Sequence, residues 1–225
     1  MTNDQRPTPL VAPLRHAARA ASLVGAVAAV AHLAAITSPV GPADLERALA
    51  TARGAEAARA RFHETYVFPV KASPVEKVEV VTEFRRAVMI TEEHLRQGDW
   101  IFGQGGRNLR NESAANALIP WQGRVTITAH VVFGPTHAYA TVPPLEIVVE
   151  GSPSIVAVDA RTIPQSSLPF PLSGGRSGQT TTSLVGADVE QDFMASAFER
   201  SARQVRVLMA GAERARVAVD FGRIE

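Results

Sequence analysis

The segment between Gly123 and Gly134 constrains the fold of this chain more than any other. Apolar and polar side chains alternate through it, a period of two that is typical of a β-strand with one buried face. The apolar set is Val125, Ile127, Ala129, Val131 and Phe133, and the intervening residues are Thr126, Thr128, His130 and Val132. We therefore expect a strand here, in a sheet that keeps one polar face.

Further strands are expected on both sides of this one. Their ranges are 75–83, taken as the first strand, 139–149, 155–158 with an extension to Ile163, and 188–200, which adds a turn or short helix. Pro143 and Pro144 lack an amide donor, so the second of these is expected at a sheet edge or bent. Residues 204–209 and 214–221 alternate around a glycine-containing loop and predict a hairpin.

Helical signals are fewer than strand signals. Asp44 is a candidate N-cap for a helix that presents Leu45, Leu49 and Ala52 on one face, with an interruption at Gly54 and a second piece up to Phe62. Apolar residues from Phe84 to Leu95 recur at helical spacing, Glu92 and Glu93 are expected to face water, and Gly98 is expected to end the helix. A strand continuing through Ile90 is the alternative. A further helical turn is expected at 112–118.

Together these elements predict an α+β, mainly β fold: an antiparallel β-sandwich of about six or seven strands with an inserted helix, preceded by an N-terminal helical segment. The same elements predict the domain boundaries. Residues 1–41 form a signal or signal-anchor segment, residues 42–73 a helical segment whose aromatic residues dock on the sandwich, and residues 74–225 the sandwich. Residues 164–183, rich in proline, glycine, serine and threonine, are expected to be a mobile loop.

The N-terminal segment carries the only indication of a cellular address. Residues 20–36 contain no formal charge and follow Arg6, Arg15 and Arg19. A basic lead-in before a short apolar run is typical of a secretory signal or a membrane anchor. Cleavage signatures end at Ala28 and at Ala31, and the alternative is a buried helix of a globular domain. If the segment directs export, residues 20–36 should make few contacts with the sandwich, and a chain beginning near Pro42 should fold.

Composition excludes several classes of function. The chain has no cysteine, so disulfides, thiol nucleophiles and thiolate metal sites are absent. Its 23 basic and 22 acidic residues nearly cancel, which argues against a nucleic-acid partner. The six histidines lack metal-ligand spacing, and the glycine clusters at 103–106 and 174–178 match no phosphate-binding or nucleophile motif. We expect no metal and no cofactor.

One group of residues is a candidate site. Thr126, Thr128 and His130 share a strand face and are expected to form a small polar cluster, although a wetted sheet face would show the same pattern. No catalytic residue is nominated.

Three functions are compatible with the sequence. The first is a non-enzymatic interaction or structural module of the cell envelope, periplasmic or membrane-anchored. Its partner would be an unidentified envelope protein or ligand, with membrane contact through residues 20–36. The second is a hydrolase or transferase on a sandwich scaffold, which a deep polar cleft and a perturbed titratable group would favour. The third is a cytoplasmic homo-oligomeric binding protein with residues 20–36 in its core.

Overall fold

The structure is a computed structural model that divides into two units, residues 1–32 and 33–225. It describes residues 36, 39–101, 111–134, 139, 141–151, 155–167, 170–171, 180–198 and 201–224. All of these belong to the second unit. Of the segment 20–36, only Ile36 is among the described residues, so the signal or anchor prediction otherwise lies outside them.

The strands form two main antiparallel sheets. They are β1 (Val67–Ala72), β2 (Val75–Val81), β3 (Arg124–Val132), β4 (Leu145–Val149), β5 (Asp159–Ser166), β6 (Phe170–Pro171), β7 (Thr180–Thr181), β8 (Leu184–Met194), β9 (Ala202–Met209) and β10 (Ala212–Asp220). The larger sheet has the order β1-β2-β3-β8-β5 and the smaller has the order β10-β9-β4, while β6 and β7 pair with each other. Every pairing between these strands is antiparallel.

The main core lies between the two sheets. Alternate residues of β3 and β8, such as Ile127 and Val189, meet Val205, Val207 and Val219 of the smaller sheet, and all five are buried. This arrangement is the antiparallel sandwich that the alternating segments predict, and the mainly β fold class is confirmed.

Four α-helices accompany the sheets: α1 (Pro42–Ala52), α2 (Glu56–Glu64), α3 (Glu83–Ile101) and α4 (Asn111–Leu118). A second apolar cluster joins α1, α3 and α4 through residues such as Leu45, Phe84 and Leu118. Another side of α3 carries Arg85 and Arg86, whose side chains reach the polar face of the larger sheet. The helix inserted after β2 is therefore the element that covers this face, and the alternative of a continued strand is wrong.

Several local predictions need correction. Gly41 is the N-cap of α1, and Asp44 accepts a hydrogen bond from its amide at 3.1 Å instead of capping the helix itself. The helix α3 passes through Gly98 and ends at Ile101, because a single glycine weakens a helix by only about 1 kcal/mol. Glu92 does not simply face water, since its half-buried carboxylate lies 3.0 Å from His63.

The strand pattern also differs in places. The first strand is β1, which precedes the predicted one and pairs with it as a hairpin, so the boundary at 73/74 divides that hairpin. Ile155 makes only an isolated bridge to Val149, and the expected 155–158 strand is instead β5, which continues into the predicted loop as far as Ser166. Within the predicted loop at 164–183, the structure also has the short strands β6 and β7. Residues 168–169 and 172–179 of this loop lie outside the described residues.

Other expectations are confirmed in whole or in part. The strand expected at 139–149 begins only at Leu145, after Pro143 and Pro144, but it forms a sheet edge as predicted. The strands β9 and β10 form the predicted hairpin around Ala210 and Gly211. Both turn residues have positive φ, as a two-residue hairpin of the primed type requires.

The segment preceding α1 contributes to the core. Ile36 is only 2% exposed and belongs to the cluster between the sheets. The expectation that residues 20–36 make few contacts with the sandwich is therefore wrong at Ile36. Within the described residues, no helix has the length and apolar character that a membrane crossing requires.

Candidate functional site

The three residues of the predicted polar cluster lie together on the outer face of the central strand β3. Each lies opposite a residue of β2 on one side and of β8 on the other. The rows are Val81–Thr126–Asp192, Glu79–Thr128–Glu190 and Lys77–His130–Asp188. The neighbouring strands β2 and β8 therefore place charged side chains on both sides of these three residues, and together they form a charged surface.

His130 is held between two carboxylates. Its Nδ1 lies 2.7 Å from Oδ1 of Asp188, and its Nε2 lies 3.0 Å from Oε2 of Glu79. A carboxylate only accepts hydrogen bonds, so this arrangement is satisfied when both ring nitrogens carry a proton. Burial disfavours the charged ring, but the Glu79 hydrogen bond and the Asp188 charge outweigh it, and the pKa of His130 is raised. We call Glu79, His130 and Asp188 the carboxylate–histidine cluster.

Arg85 of α3 contacts the second carboxylate oxygen of Glu79, the one that does not contact His130. Its NH2 group lies 2.5 Å from Oε1 of Glu79, and its NH1 group donates to the carbonyl of Val80 at 2.7 Å. The hydrogen bond from His130, assisted by the charge of Arg85, lowers the pKa of Glu79 to about 2 although burial acts in the opposite direction. The Arg85 side chain is only 4% exposed, so the helix contributes a buried cation to the sheet face.

The network continues from Arg85 to α2. Arg85 Nε donates to Nδ1 of His63 at 3.4 Å, and Nε2 of His63 lies 3.0 Å from Oε2 of Glu92. Because arginine can only donate, Nδ1 of His63 must accept and the ring proton must be on Nε2. Two open grooves of about 470 and 440 Å³ flank this ring, and both are lined by His63, Glu92 and Arg96.

Thr126 belongs to a second group of contacts. Its hydroxyl donates to Oδ1 of Asp192 at 2.5 Å and accepts from Arg86 NH2 at 2.9 Å. The guanidinium of Arg86 lies 3.7 Å from the ring centroid of Trp121, a cation–π contact that orients the arginine. Thr126 is only 2% exposed, so its hydroxyl is not accessible to a substrate.

The charged groups of this surface neutralise one another, since Glu79 pairs with Arg85 and His130 lies between Glu79 and Asp188. A general base needs an available lone pair, and the ring nitrogens of His130 and His63 are already engaged. In the part of the chain that the structure describes, no three His, Asp or Glu residues are placed to hold a metal ion. The contacts of Arg85 and Arg86 attach α3 to the sheet.

A cleft of a different character adjoins the end of β5 and the start of β8. It has a volume of about 580 Å³. Its lining residues are Tyr139, Thr141, Val142, Pro164, Ser166, Thr182, Ser183 and Leu184. The perturbed pKa values belong to Glu79, His130 and other residues outside this lining. Among the described residues, the cleft lining and the groups with perturbed pKa values therefore have no residue in common.

The structure places Thr126, Thr128 and His130 on one face of β3. Thr126 and His130 contact different charged partners there, and the candidate site formed by the three residues stays a prediction. Sequence reasoning missed Glu79, Arg85, Asp188 and His63. The alternation in residues 77–83 places Glu79 on a polar face, but nothing local pairs that face with His130. Of the other histidines considered as metal ligands, His94 is exposed on α3. The described residues do not include His16, His32, His137 or the glycine clusters at 103–106 and 174–178.

Comparison of the chain with models of protein families, with curated proteins and with solved structures gave no match.

Proposed function

We propose that this protein is a non-enzymatic interaction module that binds an extended segment of a partner protein along β5. The observation that carries the proposal is the exposure of all eight residues from Asp159 to Ser166, on both faces of an edge strand. Strand addition to such an edge uses main-chain hydrogen bonds for affinity and alternate side chains for specificity.

The length and surroundings of β5 support this role. Soluble proteins usually shorten or cover an edge strand, because its unpaired amides and carbonyls attract other chains. The strand β5 is eight residues long, and apolar side chains lie exposed along it and just before it: Ile163 is 45% exposed, Val158 50% and Val156 75%. Pro164 restricts which segments can pair, since proline supplies no amide donor. We infer a selective edge.

A photo-reactive amino acid at Thr162 tests the proposal in cells that express the full chain. We expect a cross-linked adduct of defined mass from position 162 and none from Glu46, an exposed position on α1. The adduct should also be lost when Ile163→Lys is added, because a lysine discourages edge pairing. Absence of an adduct at 162, or the same adduct from position 46, would refute the role of β5.

We also propose that the module is exported to the cell envelope by a cleaved leader. Support comes from the uncharged residues 20–36 behind three arginines and from the burial of Ile36 in the sandwich. If Ile36 belongs to the core, a membrane span would have to end before it, leaving a run shorter than the ~20 residues that crossing needs. Cleavage after Ala28 or Ala31 would keep Ile36 in the mature chain.

Intact-mass measurement and cell fractionation of the full-length chain test the proposed export and cleavage. A shortened chain in the periplasmic fraction is the expected result. A full-length chain in the membrane would mean an anchor, and a full-length chain in the cytosol would overturn export while leaving the role of β5 to the cross-linking experiment.

A further inference from the structure

The cleft of about 580 Å³ is built from three segments that meet at one end of the sandwich. Tyr139, Thr141 and Val142 precede β4, Pro164 and Ser166 end β5, and Thr182 to Leu184 lead into β8. Loops at the end of a sandwich are a common place for binding sites because the sheets hold them in position.

Backbone contacts fix the walls of this cleft. The amide of Ser167 donates to the carbonyl of Ser183 at 2.7 Å, and the amide of Ser183 donates to Oγ of Ser167 at 2.9 Å. The pairing of β5 with β8 shifts register between Gln165 and Ser166. Such a bulge redirects side chains and is often found beside functional sites. On the opposite wall, the ring of Tyr139 packs on Phe133 with 4.8 Å between the centroids.

The lining has a consistent chemistry. Five of its side chains carry a hydroxyl and three are apolar, and none is Asp, Glu, Lys, Arg or His. The grooves beside His63 contrast with it, because they are lined by Arg59, Arg96, Glu92 and other charged residues. A charged ligand would lose its hydration in the cleft without gaining a counter-charge, and a hydrocarbon would displace water from the serine and threonine hydroxyls without replacing its hydrogen bonds.

We propose that this cleft binds a neutral carbohydrate. A sugar ring offers hydroxyls that both donate and accept, as serine and threonine hydroxyls do, together with apolar C–H faces for Tyr139, Val142 or Pro164. The volume lies within the range of about 300–1,000 Å³ that is usual for small-molecule sites. This site goes beyond the strand-pairing role of β5 and does not depend on it.

Saturation-transfer NMR on the full chain tests the proposal with four neutral disaccharides: maltose, cellobiose, lactose and N,N′-diacetylchitobiose. At least one should receive saturation at millimolar concentration, and glucuronate should not bind more tightly than it. The double variant Thr141→Val with Thr182→Val removes two hydroxyls at nearly constant volume and should weaken binding about tenfold, as the loss of one or two hydrogen bonds predicts.

Thr162→Val is the matched control, because it removes an exposed hydroxyl from β5 outside the cleft and should leave binding unchanged. Thr182→Trp fills the cleft from an exposed position and provides a second test if the double variant unfolds. The proposal is overturned if none of the disaccharides binds, if Thr162→Val weakens binding as much as the double variant, or if Thr182→Trp leaves binding intact. Binding of an unstructured peptide in the cleft while all four sugars fail would identify a protein ligand instead.

Discussion

At the scale of single residues, His130 determines how the stability of this protein should depend on pH. The folded state raises its pKa above the ordinary value of 6.5, so its contribution is complete below that value and is lost as the pH rises through the folded-state pKa. Glu79 acts in the opposite sense, because its pKa is lowered from 4.5 to about 2 and its contribution disappears as the pH falls through that interval. The cluster should stabilise the fold most between the two ordinary values.

Urea unfolding of the His130→Gln variant checks this dependence. As the pH rises above 6.5 and through the folded-state pKa of His130, the free energy of unfolding of the native chain should decrease, and the decrease should be smaller in the variant because glutamine does not titrate. His94→Gln, which removes an exposed histidine of α3, is the control and should retain the native slope. If His130→Gln also retains it, the assignment of the slope to His130 is wrong.

The sequence was sufficient to predict the sheet face on which His130 lies, but not the residues that it contacts. Alternation alone places Thr126, Thr128 and His130 on one polar face, since the period of a strand fixes side-chain direction. The partners of His130 depend on which strands flank β3 and in what register. Glu79 is 51 residues away in the chain and Asp188 is 58 away. Pairing at such separation leaves no local signal, so the polar stripe was predictable and the carboxylate–histidine cluster was not.

At the scale of elements, the attachment of α3 to the sheet rests on buried arginines. In Arg85→Ala, Glu79 keeps its place beside the sheet but loses its buried counter-charge, and the carbonyl of Val80 loses a donor. Removing one partner of a buried pair typically costs about 3–5 kcal/mol. We expect a loss of about 3 kcal/mol in the free energy of unfolding, measured by urea denaturation, because Glu79 remains 16% exposed.

Arg96→Ala provides the comparison on the same helix. Its side chain is 74% exposed and pairs with Glu93 at 2.8 Å, an exposed pair that contributes about 0–1 kcal/mol. Equal losses in the two variants would show that α3 is not held to the sheet through Arg85.

The elements that sequence analysis missed or misplaced share a physical cause. The predicted strand at 155–158, with its extension to Ile163, overlaps only part of β5, because β5 is exposed on both faces and lacks an alternation of buried and exposed side chains. Pro164 weakens the strand pattern further. The strand β1 contains Pro69 and forms a sheet edge, which also weakens its signal. In contrast, β3 and the β9–β10 hairpin each have one buried face, and their alternation identified them.

At the scale of the whole molecule, the sandwich was predictable because many short alternating segments, with α-helices inserted after only one of them, have few other ways to bury their apolar faces. The contribution of Ile36 was not predictable, since an uncharged alanine-rich run looks the same whether it leads to export or ends in a core. Its burial moves the start of the folded domain toward the N-terminus, ahead of the proline-rich break at 37–42.

Two shortened chains measure that contribution. A chain that begins at Leu33 keeps Ile36, whereas a chain that begins at Pro42 removes it and leaves its site among the sandwich residues empty. Loss of a buried isoleucine side chain typically costs about 2–5 kcal/mol, so urea denaturation should find the shorter chain less stable by at least about 2 kcal/mol. The substitution Ile36→Ala in the longer chain should reproduce most of the loss, whereas Ile119→Ala, at a position 59% exposed, should have little effect. Equal stability of the two shortened chains would mean that the sandwich core is complete without Ile36 and that the domain begins at α1.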